Sequence, residues 1–378
     1  MKVSFNNIAQ INSNNISTLN HDNLNVQQQP IDNSELLPTG LNMANFYPVS
    51  FGRLRLNPDM EFLLKHSNYF RCAYTGRPMI SKLKAKNLYQ KLEKRDNAQA
   101  SINVLQHVRG YMHDVEKMVF DIFQVSPHKN KRDFQDILQE FVPSSLEQLK
   151  IKQSKVLNST NNLLNTMSEP IAQQIIAIRD ETLATMEDGT FGRKKSLEKI
   201  KAIKATGKDL QQVIKIYRKW YKLPTSSNDF DAFVVQYSKM SHIAIAKRLI
   251  SSAVVSVEHV QPHQRRGADE LSNLILVSSQ FNNARNTMPL WEFMMLHPEI
   301  DFETNLQNYL NTAIRLVKNK NSEFHSREYY PEAIKKVISN ETNSFVELDT
   351  SDLLLTKMQI QNQKRLQKLC TMYRMVGK

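Results

Sequence analysis

The sequence predicts a mainly helical protein with one small α+β core, on three observations. Only 9 glycines occur in 378 residues, in a chain rich in Lys, Gln, Leu and Met, which favours helix. Between Lys84 and Ser251, apolar residues recur at helical spacing, among them Leu88, Leu92, Ile102, Leu105, Val115, Val119 and Phe123. Two short apolar runs, Ala253 to Val257 and Leu274 to Val277, flank a polar, Gly-bearing loop and are followed by a short helix-compatible segment. That order reads as strand, loop, strand, helix.

Residues 1–45 are rich in Asn, Gln and Ser, with no sustained period, and are expected to form a disordered leader. Phe46 to Leu56 is the first stretch able to order, and Pro58-Asp59 opens a short helix. In the helical block, a helix is expected from Asn130 to Phe141, stopped by Pro143, and Ser144-Ser145 can cap the next one. Ser168-Glu169-Pro170 gives a start with Pro in the first turn, and that helix ends near Asp188-Gly189. Phe191-Gly192 forms a break, and Ser196 to Lys222 and Phe230 to Ile250 give two further helices. The segment Arg193 to Lys222 is strongly basic and ends in aromatic residues. It either runs along a phosphate backbone or is an amphipathic helix with a solvated face. Trp291 to Met295 reads as core, Phe302–Asn319 and Pro331–Ile338 as amphipathic helices, and Ser351–Met375 as a last helix.

The formal net charge of +13 and a pI near 9.5 favour an anionic partner, nucleic acid above all, although solubility alone is the bland reading. Two cysteines, Cys72 and Cys370, exclude a disulfide framework beyond one bridge and suit a reducing compartment. No apolar run reaches bilayer length, and the N-terminus lacks the apolar stretch of a signal peptide. The expected location is cytoplasmic, or outside the cell by a non-classical route as an effector.

The chemistry-bearing residues cluster between Val254 and Asn286. They are Glu258-His259-Val260-Gln261-Pro262, the loop residues Gln264, Arg265, Arg266 and Gly267, then Asn273-Leu274, Asn282 and Arg285. In order and spacing this set resembles the HNH endonuclease family, whose core is the ββα-metal motif. The resemblance covers about thirty residues of the chain, and only the ordered set is specific. It implies a metal-dependent phosphodiesterase. His259 would be the general base, since imidazole accepts a proton near neutral pH. Glu258 and Asn282 would offer oxygen ligands to a divalent cation, Mg²⁺ with Mn²⁺ as a substitute. Asn273, counted with the catalytic residues, would bond the loop backbone and hold its shape. Arg265, Arg266 and Arg285 would meet substrate phosphate, with DNA placed ahead of RNA. Neighbours on a regular strand point to opposite faces, so Glu258 and His259 share a site only if the strand ends there.

Many proteins of this family carry two Cys pairs that bind a structural zinc. Here the counterpart positions hold Cys72, Thr75, Ser278 and Phe281, and one cysteine of four cannot build a tetrahedral site. No structural zinc is therefore expected, and a knuckle held by packing is one reading of Tyr69 to Met79; an unrelated turn is the other. The expected division is a leader at 1–45, the N-terminal part of the module at 46–83, a helical insertion at 84–251, the ββα core at 252–300 and C-terminal helices at 301–378. The alternative function, from another class, is a helical adaptor or scaffold that retains an inactive hairpin.

Overall fold

The computed structural model describes residues 57–187, 193–343 and 345–351. The leader at 1–45, the stretch Phe46 to Leu56, the break at Phe191-Gly192 and the last helix, Ser351 apart, lie outside the described residues.

Helix α1 (Pro58–Lys65) begins with Pro in its first turn, and the Asn57 side chain accepts from the Asp59 amide at 2.8 Å. Side-chain caps from Ser81 and Asn97 start α2 (Lys82–Leu92) and α3 (Ala98–Leu105), and α4 (Asp114–Val125) follows. Helix α5 (Phe134–Gln139) is opened by a capping box between Asp133 and Asp136 rather than at Asn130. Pro143 does not stop a helix. It lies in the first turn of α6 (Val142–Asn158), where a missing N–H costs nothing, and Ser144 and Ser145 fall inside that helix. After the single turn α7 (Asn161–Leu164) comes α8 (Glu169–Glu187), at the start the sequence marks.

The helix expected from Ser196 to Lys222 is two helices, α9 (Arg193–Ala202) and α10 (Gly207–Trp220), with Gly207 at φ 54 supplying the left-handed break. Phe230 to Ile250 likewise splits into α11 (Phe230–Tyr237) and α12 (His242–Ser251), because Ser241 caps a new start at the Ala244 amide. Of the aromatic end of the basic segment, Trp220 and Tyr221 are buried, so this part of it is packed core. No helix among the described residues is long and apolar enough to cross a membrane.

Strands β1 (Val255–His259) and β2 (Leu274–Ser278) pair antiparallel, with Glu258 opposite Ile275 and His259 opposite Leu274. Helix α13 (Ser279–Arg285) follows directly, then α14 (Leu290–Leu296), α15 (Phe302–Lys318) and α16 (Tyr330–Thr342). A two-stranded hairpin is marginal alone, and here its outer edge is fully used. The Leu276 amide donates to Tyr309 Oη at 3.1 Å, the Tyr309 and Tyr330 hydroxyls are 2.9 Å apart, and Tyr330 donates to the Leu274 carbonyl at 3.0 Å. The Ala73 amide donates to the Leu276 carbonyl at 2.9 Å. Every residue of β2 is buried in consequence.

The turn at Cys72 to Gly76 packs onto this edge. The Cys72 thiol accepts from the Ser278 amide at 3.5 Å, and Phe281 fills the core beside it. One core thus joins the turn, the hairpin and α13 to α16, so the C-terminal helices complete the hairpin's core. Among the described residues the helical block holds two further large cores, beside a small cluster of Leu149, Ala232 and Val235. One is built from α2 to α5 with α11 and α12, the other around α8, α9 and α10.

Candidate active site at the end of the hairpin

Residue alternation along β1 sends Ser256 and Glu258 toward α13 and turns His259 the other way, into the loop. The contacts follow that rule. The Asn282 side chain donates to Ser256 Oγ at 2.5 Å and faces the Val257 carbonyl at 3.4 Å. One turn on, Arg285 Nη1 donates to Glu258 Oε1 at 2.6 Å. His259 Nε2 lies 2.5 Å from Asp269 Oδ1, across the loop. Glu258 and Asn282 therefore share the face that meets α13, and His259 occupies the adjoining rim. The two are linked through Arg285, which also donates to the His259 carbonyl at 2.6 Å.

The expectation that Arg285 meets a phosphate is corrected by this geometry. Its side chain is 0 % exposed; its two Nη groups donate to Glu258, the His259 and Val260 carbonyls and Tyr74 Oη, and its Nε has no partner among the described residues. The physical reason is position. Residue 285 ends a short helix whose inner face lies under the strand, so its guanidinium enters the core and must be satisfied there. Burial pushes the Glu258 carboxyl up, to about 8, against the pull of Arg285. Its second oxygen, Oε2, is buried with no hydrogen-bond partner among the described residues.

Arg265 is exposed but reaches Glu341 of α16 at 3.2 Å. Arg266 is exposed at φ 68. Both stay at the loop surface.

The loop itself is locked by Asn273, which is buried. Its side chain donates to the Gln261 carbonyl at 2.9 Å and the Ala268 carbonyl at 3.0 Å, and accepts from the Gln261 amide at 2.8 Å. Gly267 permits that closure: a Cβ there would stand 1.8 Å from the Gln261 carbonyl oxygen. The backbone-bonding role the resemblance gives Asn273 is thus the contact the structure shows. Two residues at the site escaped sequence reasoning. Asp269 is acidic in a loop read for its basic residues, and that contrast was the available signal. Tyr74 carried none, because its partner is 211 positions away.

Comparison with family models, with curated proteins and with solved structures returned no match.

Asn273→Ala removes three bonds to loop backbone, and each buried group left unpaired costs about 1–3 kcal/mol. We expect a clear fall in melting temperature and faster amide exchange at Gln261, with Gly267→Ala giving the same pattern through a backbone clash. An Asn273→Ala protein that melts and exchanges like the wild type would show that the loop holds its shape by other means.

Proposed function

We propose that this chain is a metal-dependent endonuclease of the HNH type that hydrolyses phosphodiester bonds in nucleic acid, with DNA placed ahead of RNA. The observation that carries the reading is the His259–Asp269 pair on the rim of a loop fixed by Asn273. In this reading Asp269, whose Oδ1 lies 2.5 Å from Nε2, accepts the Nε2 proton and the lone pair of His259 falls on Nδ1. In this reading, a water at Nδ1 gives up its proton there as its oxygen bonds to phosphorus. The ester P–O bond then breaks, and the leaving oxygen is protonated by solvent. The carboxylate of Asp269, 52 % exposed, orients the ring.

The donor set fits a hard divalent cation. Glu258 Oε2 is a buried carboxylate oxygen without a partner among the described residues, and Asn282 shares its face. Those two residues would hold Mg²⁺, or Mn²⁺ in its place. When bound, such an ion offsets the charge that grows on the phosphate oxygens. Arg285 then acts by holding Oε1 and aiming Oε2, as an outer partner of a ligating carboxylate does. Arg266, with Arg265, supplies contacts to the substrate phosphates.

A second reading has its own observation. The Glu258 carboxyl is already engaged by a buried guanidinium, and a closed structural contact of this kind is what a helical adaptor with a relic hairpin would keep.

Cleavage of supercoiled plasmid with and without Mg²⁺ separates the two. The nuclease reading expects nicking that needs the metal. His259→Ala should slow it by about 10²–10⁴-fold, the usual contribution of a general base, and Asp269→Asn by a smaller factor. Wild-type protein that cuts nothing with Mg²⁺ or Mn²⁺, or His259→Ala cutting at the normal rate, would sink the proposal.

A further inference from the structure

A second feature of the molecule shares no residue with the His259 loop. A cavity of about 750 Å³ lies between the turn at Cys72 to Gly76 and helix α15. Its wall includes Tyr69, Arg71, Asn308, Asn311, Arg315 and Lys318, and no Asp or Glu lines it. On α15 the last four of these recur at three- and four-residue steps, so they form one stripe along the helix. Arg71 is steadied by the Gly76 carbonyl at 3.1 Å and Arg315 by Thr312 Oγ1 at 3.1 Å. Among the described residues, none of the three cations forms a salt bridge with a carboxylate, although many other cations of this chain do. On the wall, Tyr69 is 61 % exposed, its ring stacked on one side against His66 at 6.2 Å between centroids.

Unpaired cations in a concave wall raise the local concentration of anions. An exposed aromatic ring beside them adds a platform on which a base can stack. Amide side chains on the same wall can both donate to and accept from a base edge or a sugar. A duplex would cover its own bases and leave the ring unused, whereas a single strand presents bases and phosphates together. We infer that this cavity is a binding site for a single-stranded segment of nucleic acid. Tyr69 stacks on a base, Arg71, Arg315 and Lys318 hold the flanking phosphates, and Asn308 and Asn311 bond the base edge or sugar. The site binds and does not cut, so it stands or falls apart from the catalytic proposal.

The test is fluorescence anisotropy of the full chain with a labelled oligothymidylate in chelator, where no metal-dependent cleavage can occur. The triple variant R71A/R315A/K318A is compared with K150A/K155A/K215A, which removes the same charge from exposed positions elsewhere. We expect the cavity triple to weaken binding at least about tenfold more than the control. It should also reduce the slope of log affinity against log salt by about 2, since each phosphate contact on a single strand contributes roughly 0.7. Tyr69→Ala should weaken single-strand binding by roughly 5- to 100-fold and leave duplex binding unchanged. Thymidine monophosphate should compete better than inorganic phosphate. Equal losses in the two triples would overturn the site, because the attraction would then be that of net charge alone. Equal competition by inorganic phosphate, or a Tyr69→Ala protein that binds like the wild type, would reduce the cavity to an anion pocket and overturn the single-strand assignment. All the substituted side chains are exposed, so melting curves should match the wild type and confirm that each variant is folded.

Discussion

The guanidinium of Arg285 is the interaction on which the hairpin end depends. It is completely buried, and it meets a carboxylate from β1, two carbonyls just past that carboxylate and a phenol from the distant Cys72–Gly76 turn. Three separate pieces of chain are fixed by one side chain: the strand end, the helix that follows the hairpin and the N-terminal turn. A buried charge left without its partner costs about 3–5 kcal/mol, so none of the three can drift without a large loss. The same bond selects which oxygen of Glu258 is engaged and which is left bare. Structure and proposed chemistry therefore rest on one contact.

The fold grows outward from that point. The hairpin is too small to bury itself, and it borrows a core from both ends of the described chain. Tyr309 and Tyr330 satisfy the open edge of β2 by hydroxyl bonds, and both faces of the strand are buried, which is why β2 reads as an unbroken apolar run and not as an alternating one. The helical block leaves the core at Ile80 and returns at Val254, and these two residues form a backbone bridge. An insertion whose ends meet in this way can be long without pulling the hairpin apart.

Much of this was legible in the sequence wherever backbone geometry dictates the residue. Gly267 is required because any side chain would strike the Gln261 carbonyl, and Asn273 because its amide can close a loop from both sides. Those constraints are local, and the ordered set that carries the family resemblance includes both residues. The helix starts at Pro58 and Glu169 were readable for the same reason. What failed to show was whatever depends on burial across long separations. Arg285 reads as a surface cation until α13 is seen to lie under β1. Pro143 reads as a stop because proline breaks a helix interior, and only the register shows that it sits in a first turn. The split at Gly207 was missed because a helical apolar period continues through it.

The most direct measurement of the central claim is titration calorimetry of Mn²⁺ into wild-type protein and into Glu258→Gln, at a pH above the raised range of the Glu258 carboxyl, about 8, where that group is ionised. The account holds that Arg285 fixes one oxygen of Glu258 and leaves the other for a cation. It predicts one Mn²⁺ per wild-type chain and loss of that binding in Glu258→Gln, with both proteins folded. No binding to the wild type, or equal binding to both, would contradict it and leave the Glu258–Arg285 pair as a purely structural bridge.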